Sequence, residues 1–182
     1  KYRRSKVGTP ETAGRCRVSE LYDKSDRRRW HITCPDCGHE QPLEWGGLHW
    51  NADATHCWYA CRECGVVIEE HQKTQLIASG RWVPGNPGAR IRGYHANGLY
   101  YPLGLGPRWL DLVRVWLHAQ GDPAKLKTFI NDRLAEPWED PAMRAVKHNL
   151  IADRAGPAPL RPVPAWVVPA TAGLAPQDNP LA

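Results

Sequence analysis

Short runs of apolar and polar residues, most of them alternating, fill the first half of the chain and predict β-strands there. RWHIT at 29–33 and EQPLEW at 40–45 flank one Cys-x-x-Cys-Gly turn, while HCWYA at 56–60 and VVI at 66–68 flank a second. Alternation with a period of two residues is typical of strands that bury one face. The pattern therefore predicts two β-hairpins, each closed by a cysteine-containing turn.

Large apolar side chains recur every three or four residues in the second half of the chain, which predicts two amphipathic helices. The two apolar stripes consist of Trp109, Leu112, Val113, Trp116 and Leu117, and of Leu126, Phe129, Ile130 and Leu134. Pro107 lies near the start of the first helix, and Asp122 is expected to cap the second. These helices are predicted to fold back on each other as a hairpin with its tryptophans in the core.

Weaker patterns predict the remaining elements. EEHQKTQLIAS at 69–79 predicts a short helix that Gly80 ends, and a third helix is expected around 143–154. RVSELY at 17–22 predicts a short strand within an otherwise extended N-terminal segment. Residues 156–182 hold seven of the 17 prolines, which favours an extended linker.

Four of the six cysteines form two Cys-x-x-Cys-Gly turns that are separated by 23 residues. They are Cys34, Cys37, Cys61 and Cys64. Two such turns can present four thiolates to one ion in a tetrahedron, which is the usual shell of a structural zinc site. Cys57 is an alternative ligand in place of Cys61, although a buried free thiol is expected for Cys57 and for Cys16.

Basic residues are concentrated near the N-terminal end of the chain. The formal net charge is +5, and residues 1–30 alone hold ten lysines or arginines against four acids. Such a segment attracts a phosphate backbone through counterion release, although a solvated charge run is an equal alternative. The candidates for weak, sequence-independent DNA contacts are Arg3, Arg4, Lys6, Arg27, Arg28 and Arg29.

Together these features predict an α+β fold in which small zinc-ribbon β-hairpins precede an α-helical hairpin and an extended Pro-rich tail. The expected divisions are a basic extended segment at 1–29, the ribbon with its short helix at 30–83, a turn-rich segment with the helical hairpin at 84–155, and the linker at 156–182. No apolar run reaches membrane-spanning length and no export signal is present, so a soluble, cytoplasmic protein without a membrane partner is expected.

The order of the motifs along the chain resembles that of one known protein family. Gly8-Thr9-Pro10, the two cysteine turns, KTFINDRLAEPWE at 127–139 and VPAWVVPATAG at 163–173 follow one another. This order is similar to the middle of the large terminase subunit of lambda-like tailed phages and prophages. The resemblance implies a viral DNA-packaging enzyme with an N-terminal ATPase motor and a C-terminal metal-dependent endonuclease of RNase H type. It also implies the small terminase subunit and the prohead portal as partners, in the host cytoplasm.

Four positions bear on the chemistry that this resemblance implies. Thr9 resembles the threonine that couples ATP hydrolysis to movement, while no GxxxxGK[ST] nucleotide loop is present. Ala175 stands where the family has the first aspartate of the nuclease metal site, and Gln177 and Asp178 still match. The chain, which does not begin with methionine, is therefore expected to be part of a longer polypeptide. Its expected role is a non-catalytic, zinc-stapled connector between motor and nuclease.

Two other functions fit some of the same residues. A free-standing zinc-ribbon protein could bind nucleic acid through residues 1–30, and such a protein would hold duplex DNA at physiological salt. A rubredoxin-like electron carrier would bind iron at the four cysteines, because iron sites also use paired Cys-x-x-Cys-Gly turns. Iron would colour the protein, whereas zinc would not.

Overall fold

The computed structural model describes residues 5–139, which lie within a compact unit that spans 1–140. Several predictions lie outside the described residues. These are the third helix at 143–154, the Pro-rich segment at 156–182, the candidate DNA contacts Arg3 and Arg4, and the three nuclease-like positions Ala175, Gln177 and Asp178. Within 5–139, no helix is long and apolar enough to cross a membrane.

The two cysteine turns close two antiparallel hairpins, as predicted. In the first, strand β1 (Arg28–Thr33) pairs with β2 (Glu40–Pro42), and Ile32 lies opposite Gln41. A short strand β3 (Leu48–Trp50) then pairs with β4 (Cys57–Ala60), which forms the second hairpin with β5 (Val67–Glu69). Each hairpin therefore belongs to a different sheet, and the second sheet has the order β3-β4-β5.

The turn-rich segment enlarges the first sheet. After helix α2 (Lys73–Ala78), strand β6 (Arg81–Pro84) pairs antiparallel with β1 along its free edge. A two-residue strand, β7 (Tyr94–His95), adds a parallel pairing to the start of β1. Strand β1 is therefore held by three partners, which makes it the central strand of this sheet.

Helix α2 ends before Gly80, as predicted, but the reason for glycine differs from the expected one. Gly80 has no left-handed backbone of the kind that usually selects glycine after a helix. A Cβ atom here would instead lie 2.3 Å from Trp30 Nε1 and 2.6 Å from the His31 carbonyl oxygen. Trp30 Nε1 donates a hydrogen bond of 3.0 Å to the Ile77 carbonyl, which holds the indole against the end of the helix.

The helical hairpin consists of α3 (Trp109–Ala119) and α4 (Pro123–Thr128), and a single π-helical turn continues α4 over Phe129–Arg133. Asp122 caps α4 as predicted, because its carboxylate accepts hydrogen bonds from the amides of Ala124 and Lys125. Leu117 departs from the predicted stripe, since its side chain is 42% exposed. The core lies against the other face of α3, which carries Leu112 and Val113.

The predicted strand at 17–22 is wrong, because this segment forms helix α1 (Arg17–Asp23) instead. The basic segment is therefore not extended throughout. The amides of Glu20 and Lys24 donate to the carbonyls of Cys16 and Glu20, so the segment satisfies its own backbone groups. A strand would need a neighbouring strand for the same purpose. Within the part of the chain that the structure describes, no strand pairs with 17–22.

One hydrophobic core joins the hairpins to the helices. From the hairpins and their sheets it takes Ile32, Leu43, Leu48, Cys57, Tyr59 and Ile68, and from the later segments Leu99, Trp109, Leu112, Val113, Phe129 and Leu134. Phe129 shows how tightly the two parts meet, because its ring centroid lies 4.9 Å from that of Trp45 and 5.3 Å from that of Trp116. The β and α parts therefore share their buried surface.

Candidate metal centre

The two cysteine turns have the same local geometry. In the first, the Cys34 amide donates to the His39 carbonyl at 2.8 Å and the Gly38 amide donates to the Cys34 carbonyl at 3.1 Å. The equivalent bonds in the second turn run from Cys61 to Val66 at 3.0 Å and from Gly65 back to Cys61 at 2.9 Å. Gly38 and Gly65 have φ values of 74° and 72°, which side chains other than glycine rarely adopt.

These matching turns bring the four predicted ligands together. The sulfurs of Cys34 and Cys64 lie 3.8 Å apart, as do those of Cys37 and Cys61. All four sulfurs lie within 4.8 Å of one another, so this group could hold a metal ion. Sulfurs about 2.3 Å from a central ion would be about 3.8 Å apart in a regular tetrahedron, which agrees with the arrangement seen here.

The thiols of the cluster differ in how readily they lose a proton. Burial raises the pKa of Cys61, but hydrogen bonds from the amides of Cys64 and Glu63 and from the Cys34 and Cys64 thiols together outweigh it and bring the pKa down to about 7. The Val66 amide lowers the pKa of Cys64, but burial and the neighbouring thiols outweigh it and raise the pKa to about 12. A divalent ion bound here would displace the remaining protons, because cysteines bind metal as thiolates.

The other two cysteines lie outside the cluster. Cys57 points into the hydrophobic core, where burial and the charge of Glu70 raise the pKa of its thiol to about 11. It therefore does not replace Cys61 in the group of four sulfurs. Cys16 is also buried, next to the start of α1. Both are free thiols, as expected.

Polar contacts connect the two cysteine turns beside the sulfurs. The Arg62 amide, in the second turn, donates to the side-chain oxygen of Gln41 in the first hairpin at 2.8 Å. Glu44 accepts from the guanidinium groups of both Arg29 and Arg62, one from each hairpin. The relative position of the turns therefore rests on hydrogen bonds and ion pairs as well as on any bound ion.

The described residues that were predicted to contact DNA fall into two groups, those with acidic partners and those that are exposed. Arg28 donates to the buried Asp26 carboxylate at 2.7 Å, and Arg29 pairs with Glu44, so both guanidinium groups already have acidic partners. Lys6 and Arg27 are exposed. Thr9, the position that resembles a coupling threonine, is exposed as well, and Pro10 after it is buried.

A buried ion pair was missed by the sequence analysis. Glu70 accepts a hydrogen bond from Lys73 at 2.9 Å and another from the Trp109 amide at 2.6 Å. The Lys73 side chain is only 1% exposed, and its ammonium lies 5.2 Å from the Trp109 ring centroid. The sequence signal was an acid and a base three positions apart, which on most helices marks a solvated pair. Here the pair connects the start of α2 to the start of α3.

Two family models match the chain in succession. Residues 2–82 match a model described as "Phage terminase large subunit gpA, ATPase domain". Residues 91–182 match a model described as "Terminase large subunit gpA, endonuclease domain". The cysteine cluster lies within the first match and the helical hairpin lies within the second.

Two curated relatives align with almost the whole chain. The large terminase subunit of Enterobacteria phage P21 is 30% identical over 198 aligned residues, which cover 94% of this chain and 30% of that protein. The large terminase subunit of Escherichia phage lambda is 28% identical over 191 residues, which cover 91% of this chain and 29% of that protein. The chain thus spans less than a third of the length of these relatives. No solved structure shows a significant match.

Proposed function

Because the chain belongs to the family of lambda-like phage terminase large subunits, we propose that it forms part of a viral DNA-packaging enzyme. Its role there is to connect the ATPase motor to the endonuclease. The four cysteines hold a structural zinc ion that staples the first part of this connector. The DNA, the small terminase subunit and the prohead portal are the partners that the family resemblance suggests.

The observation that supports the connector role is the shared core. Residues from the stretch that matches the ATPase model, such as Tyr59 and Ile68, pack in one cluster with Leu112 and Phe129 from the stretch that matches the endonuclease model. A flexible tether between two domains would have few such contacts. A packed junction transmits position and force between the segments that enter and leave it.

Buried polar contacts reinforce this junction at two places. The Tyr100 hydroxyl donates to the Trp30 carbonyl at 2.5 Å and accepts from the Leu43 amide at 2.7 Å. The Asn97 side chain donates to the Leu43 carbonyl at 2.9 Å. Each bond joins the two matched stretches, and unpaired buried polar groups are costly, so sliding one stretch over the other would be unfavourable.

Zinc is the ion that we assign to the four cysteines. Four thiolates in a tetrahedron are a common shell for structural zinc, and a closed shell leaves no position for a reactive water. Each hairpin has only a few apolar residues, whereas structural zinc in small sites contributes about 10–16 kcal/mol to folding. The ion is therefore assigned to stability of the connector rather than to catalysis.

Metal analysis of the purified chain tests this assignment. We expect about one zinc ion per chain by elemental analysis, and Cys37→Ser should lose most of it because a sulfur ligand is replaced. Cys57→Ala is the matched control, since it removes a thiol outside the cluster and should keep the zinc. A coloured, iron-containing protein would favour the rubredoxin-like alternative. A wild-type protein without bound metal would contradict the proposed structural zinc site.

A further inference from the structure

A turn and a loop that are distant in sequence meet beside strand β1. The amide of Asp26 donates to the Ile91 carbonyl at 2.8 Å, and the Asn86 amide donates to the Asp26 carbonyl at 3.0 Å. The Asp26 carboxylate in turn accepts from the Gly93 amide at 3.0 Å. Residues 24–28 are therefore held between the two ends of the loop at 85–93, which places the two segments side by side.

Three arginines lie on these two adjacent segments, and we name them the arginine surface: Arg27 from the turn and Arg90 and Arg92 from the loop. All three are exposed. Among residues 5–139, none of the three forms an ion pair. Asp26, the one acid in the two segments, is buried, and its ion pair is with Arg28 rather than with any of these three.

The buried Asp26 carboxylate organises the arginine surface. Burial alone would raise its pKa, but hydrogen bonds from Arg28 and the Gly93 amide, with the charge of Arg92, hold the pKa below its ordinary value. The carboxylate therefore stays ionised and keeps the loop against the turn. Gly93 makes the contact possible, because a Cβ atom there would lie 1.9 Å from Ser25 Oγ.

Arg27 occupies an unusual backbone conformation. Its φ is 48°, in the left-handed region that residues other than glycine adopt infrequently. The Ser25 hydroxyl accepts from the Arg27 amide at 3.1 Å and helps to hold this conformation. A long, charged side chain in this conformation has some energetic cost, and backbone strain of this kind is concentrated at functional sites.

The surface also offers apolar and aromatic contacts beside the charges. Ile91 lies between Arg90 and Arg92, and its side chain is 52% exposed. Tyr94 is equally exposed, and the Arg28 guanidinium lies 5.9 Å from its ring centroid. Exposed guanidinium groups on an open surface suit an extended polyanion, whereas a small phosphate ligand usually requires an enclosing pocket.

We propose that the arginine surface contacts the phosphate backbone of duplex DNA. This inference rests on the proposed role in DNA packaging and names the side chains that meet the DNA. The proposed contact excludes Arg28 and Arg29, which form ion pairs with Asp26 and Glu44 within the protein. It includes Arg90 and Arg92, which the sequence analysis did not select. Because the contacts are to phosphates, binding does not depend on base sequence.

The test measures duplex binding by the metal-loaded chain with fluorescence anisotropy between 50 and 200 mM salt. Arg27→Gln, Arg90→Gln and Arg92→Gln are combined in one variant. Removing three phosphate contacts should flatten the plot of log affinity against log salt by about 2.7. Over this fourfold change in salt, the wild type should therefore lose about 40-fold more affinity than the variant. Two duplexes of unrelated sequence should give the same result.

Two further variants make the result specific. Arg114→Gln, Lys127→Gln and Arg133→Gln remove the same charge from positions on the helical hairpin that form no ion pair within residues 5–139, and should keep the wild-type salt dependence. Changing the three surface arginines to lysine keeps their charge and should also preserve it. Equal losses in the arginine-surface variant and the hairpin control would overturn the inference, and so would a wild type that binds neither duplex at 50 mM salt. Neither result would affect the zinc assignment, which is measured by metal content.

Discussion

Gly80 and Gly46 differ in the space that is available for a side chain. A Cβ atom at Gly80 would overlap the Trp30 indole and the His31 carbonyl, while a Cβ atom at Gly46 would meet nothing within 4 Å. Both glycines lack a left-handed backbone, so conformational strain does not distinguish them. Comparing alanine substitutions at the two positions therefore measures the cost of the steric overlap at Gly80.

Gly80→Ala is predicted to lower the free energy of unfolding by about 1–3 kcal/mol, because the overlap forces the indole or the backbone to move. Gly46→Ala is the matched control and should change it by less than about 0.5 kcal/mol. Chemical denaturation of both variants measures the difference. Equal effects of the two substitutions would contradict the role given to the Trp30 contact.

His95 links stability to pH through its burial. Burial and the nearby Arg29 charge lower the pKa of the imidazole, although a hydrogen bond to the Ala135 carbonyl at 3.0 Å acts in the opposite direction. The unfolded chain therefore binds a proton at this residue more readily than the folded protein does. Linkage then requires the contribution of His95 to stability to fall as the pH drops below the ordinary histidine value of 6.5.

His95→Gln should reduce this loss of stability, because glutamine can donate to the Ala135 carbonyl without titrating. The thermal midpoints of the zinc-loaded wild type and variant are compared between pH 7.5 and about 5.5, so that any pH dependence of the metal site is common to both proteins. His71→Gln, at an exposed position, is the control and should retain the wild-type pH dependence. An unchanged slope in His95→Gln would exclude His95 as a source of the effect.

The helical hairpin is held to the sheets by an aromatic cluster. Phe129 is almost fully buried and contacts the rings of Trp45 and Trp116. It lies in the π-helical turn that continues α4, where the extra residue per turn changes which side chains face inward. The hairpin packs through this turn as well as through α3.

Phe129→Ala is predicted to cost about 3–5 kcal/mol of folding stability, because it removes a buried ring and leaves a cavity between two tryptophans. Leu117→Ala provides a control from the same predicted apolar pattern, and its exposed side chain should cost less than about 1 kcal/mol. Urea unfolding monitored by tryptophan fluorescence measures both. A small effect of Phe129→Ala would mean that the aromatic cluster collapses to fill the space.

At the scale of the whole molecule, the hairpins that carry the candidate metal centre share a hydrophobic core with the helices. The ion would bind at the cysteine turns that close the two hairpins, and buried residues of those hairpins lie in one cluster with residues of α3 and the π-helical turn. Loss of the ion should therefore loosen both parts, because elements that share a buried surface unfold together.

Chelation of the metal is predicted to reduce hydrogen-exchange protection in β4 and in α3 together. Exchange is measured before and after a zinc chelator is added, and zinc is then restored to show that the change is reversible. Cys57→Ala, which retains the cluster, should respond to chelation in the same way as the wild type. Protection that disappears from the hairpins but persists in α3 would show two independent units, with a boundary near residues 83 and 84.

Local features of the amino-acid sequence by themselves determined the cysteine turns and the start of α4 in the helical hairpin. Each turn is closed by backbone hydrogen bonds within six residues, from Cys34 to His39 and from Cys61 to Val66, so its spacing contains all that is needed. Asp122 caps α4 through amides two and three residues away, which is also a local interaction. The motif order was enough to identify the family, since both family models match.

Only the tertiary structure decided which distant segments meet. It placed Arg90 and Arg92 beside Arg27, buried Lys73 against Trp109, and left Leu117 exposed. It also made a helix of 17–22, where the periodicity was too short to exclude a strand that lacks a partner. The spacing of residues within one segment shows which side chains share a face, but which distant segment covers that face depends on how the sheets and helices pack together.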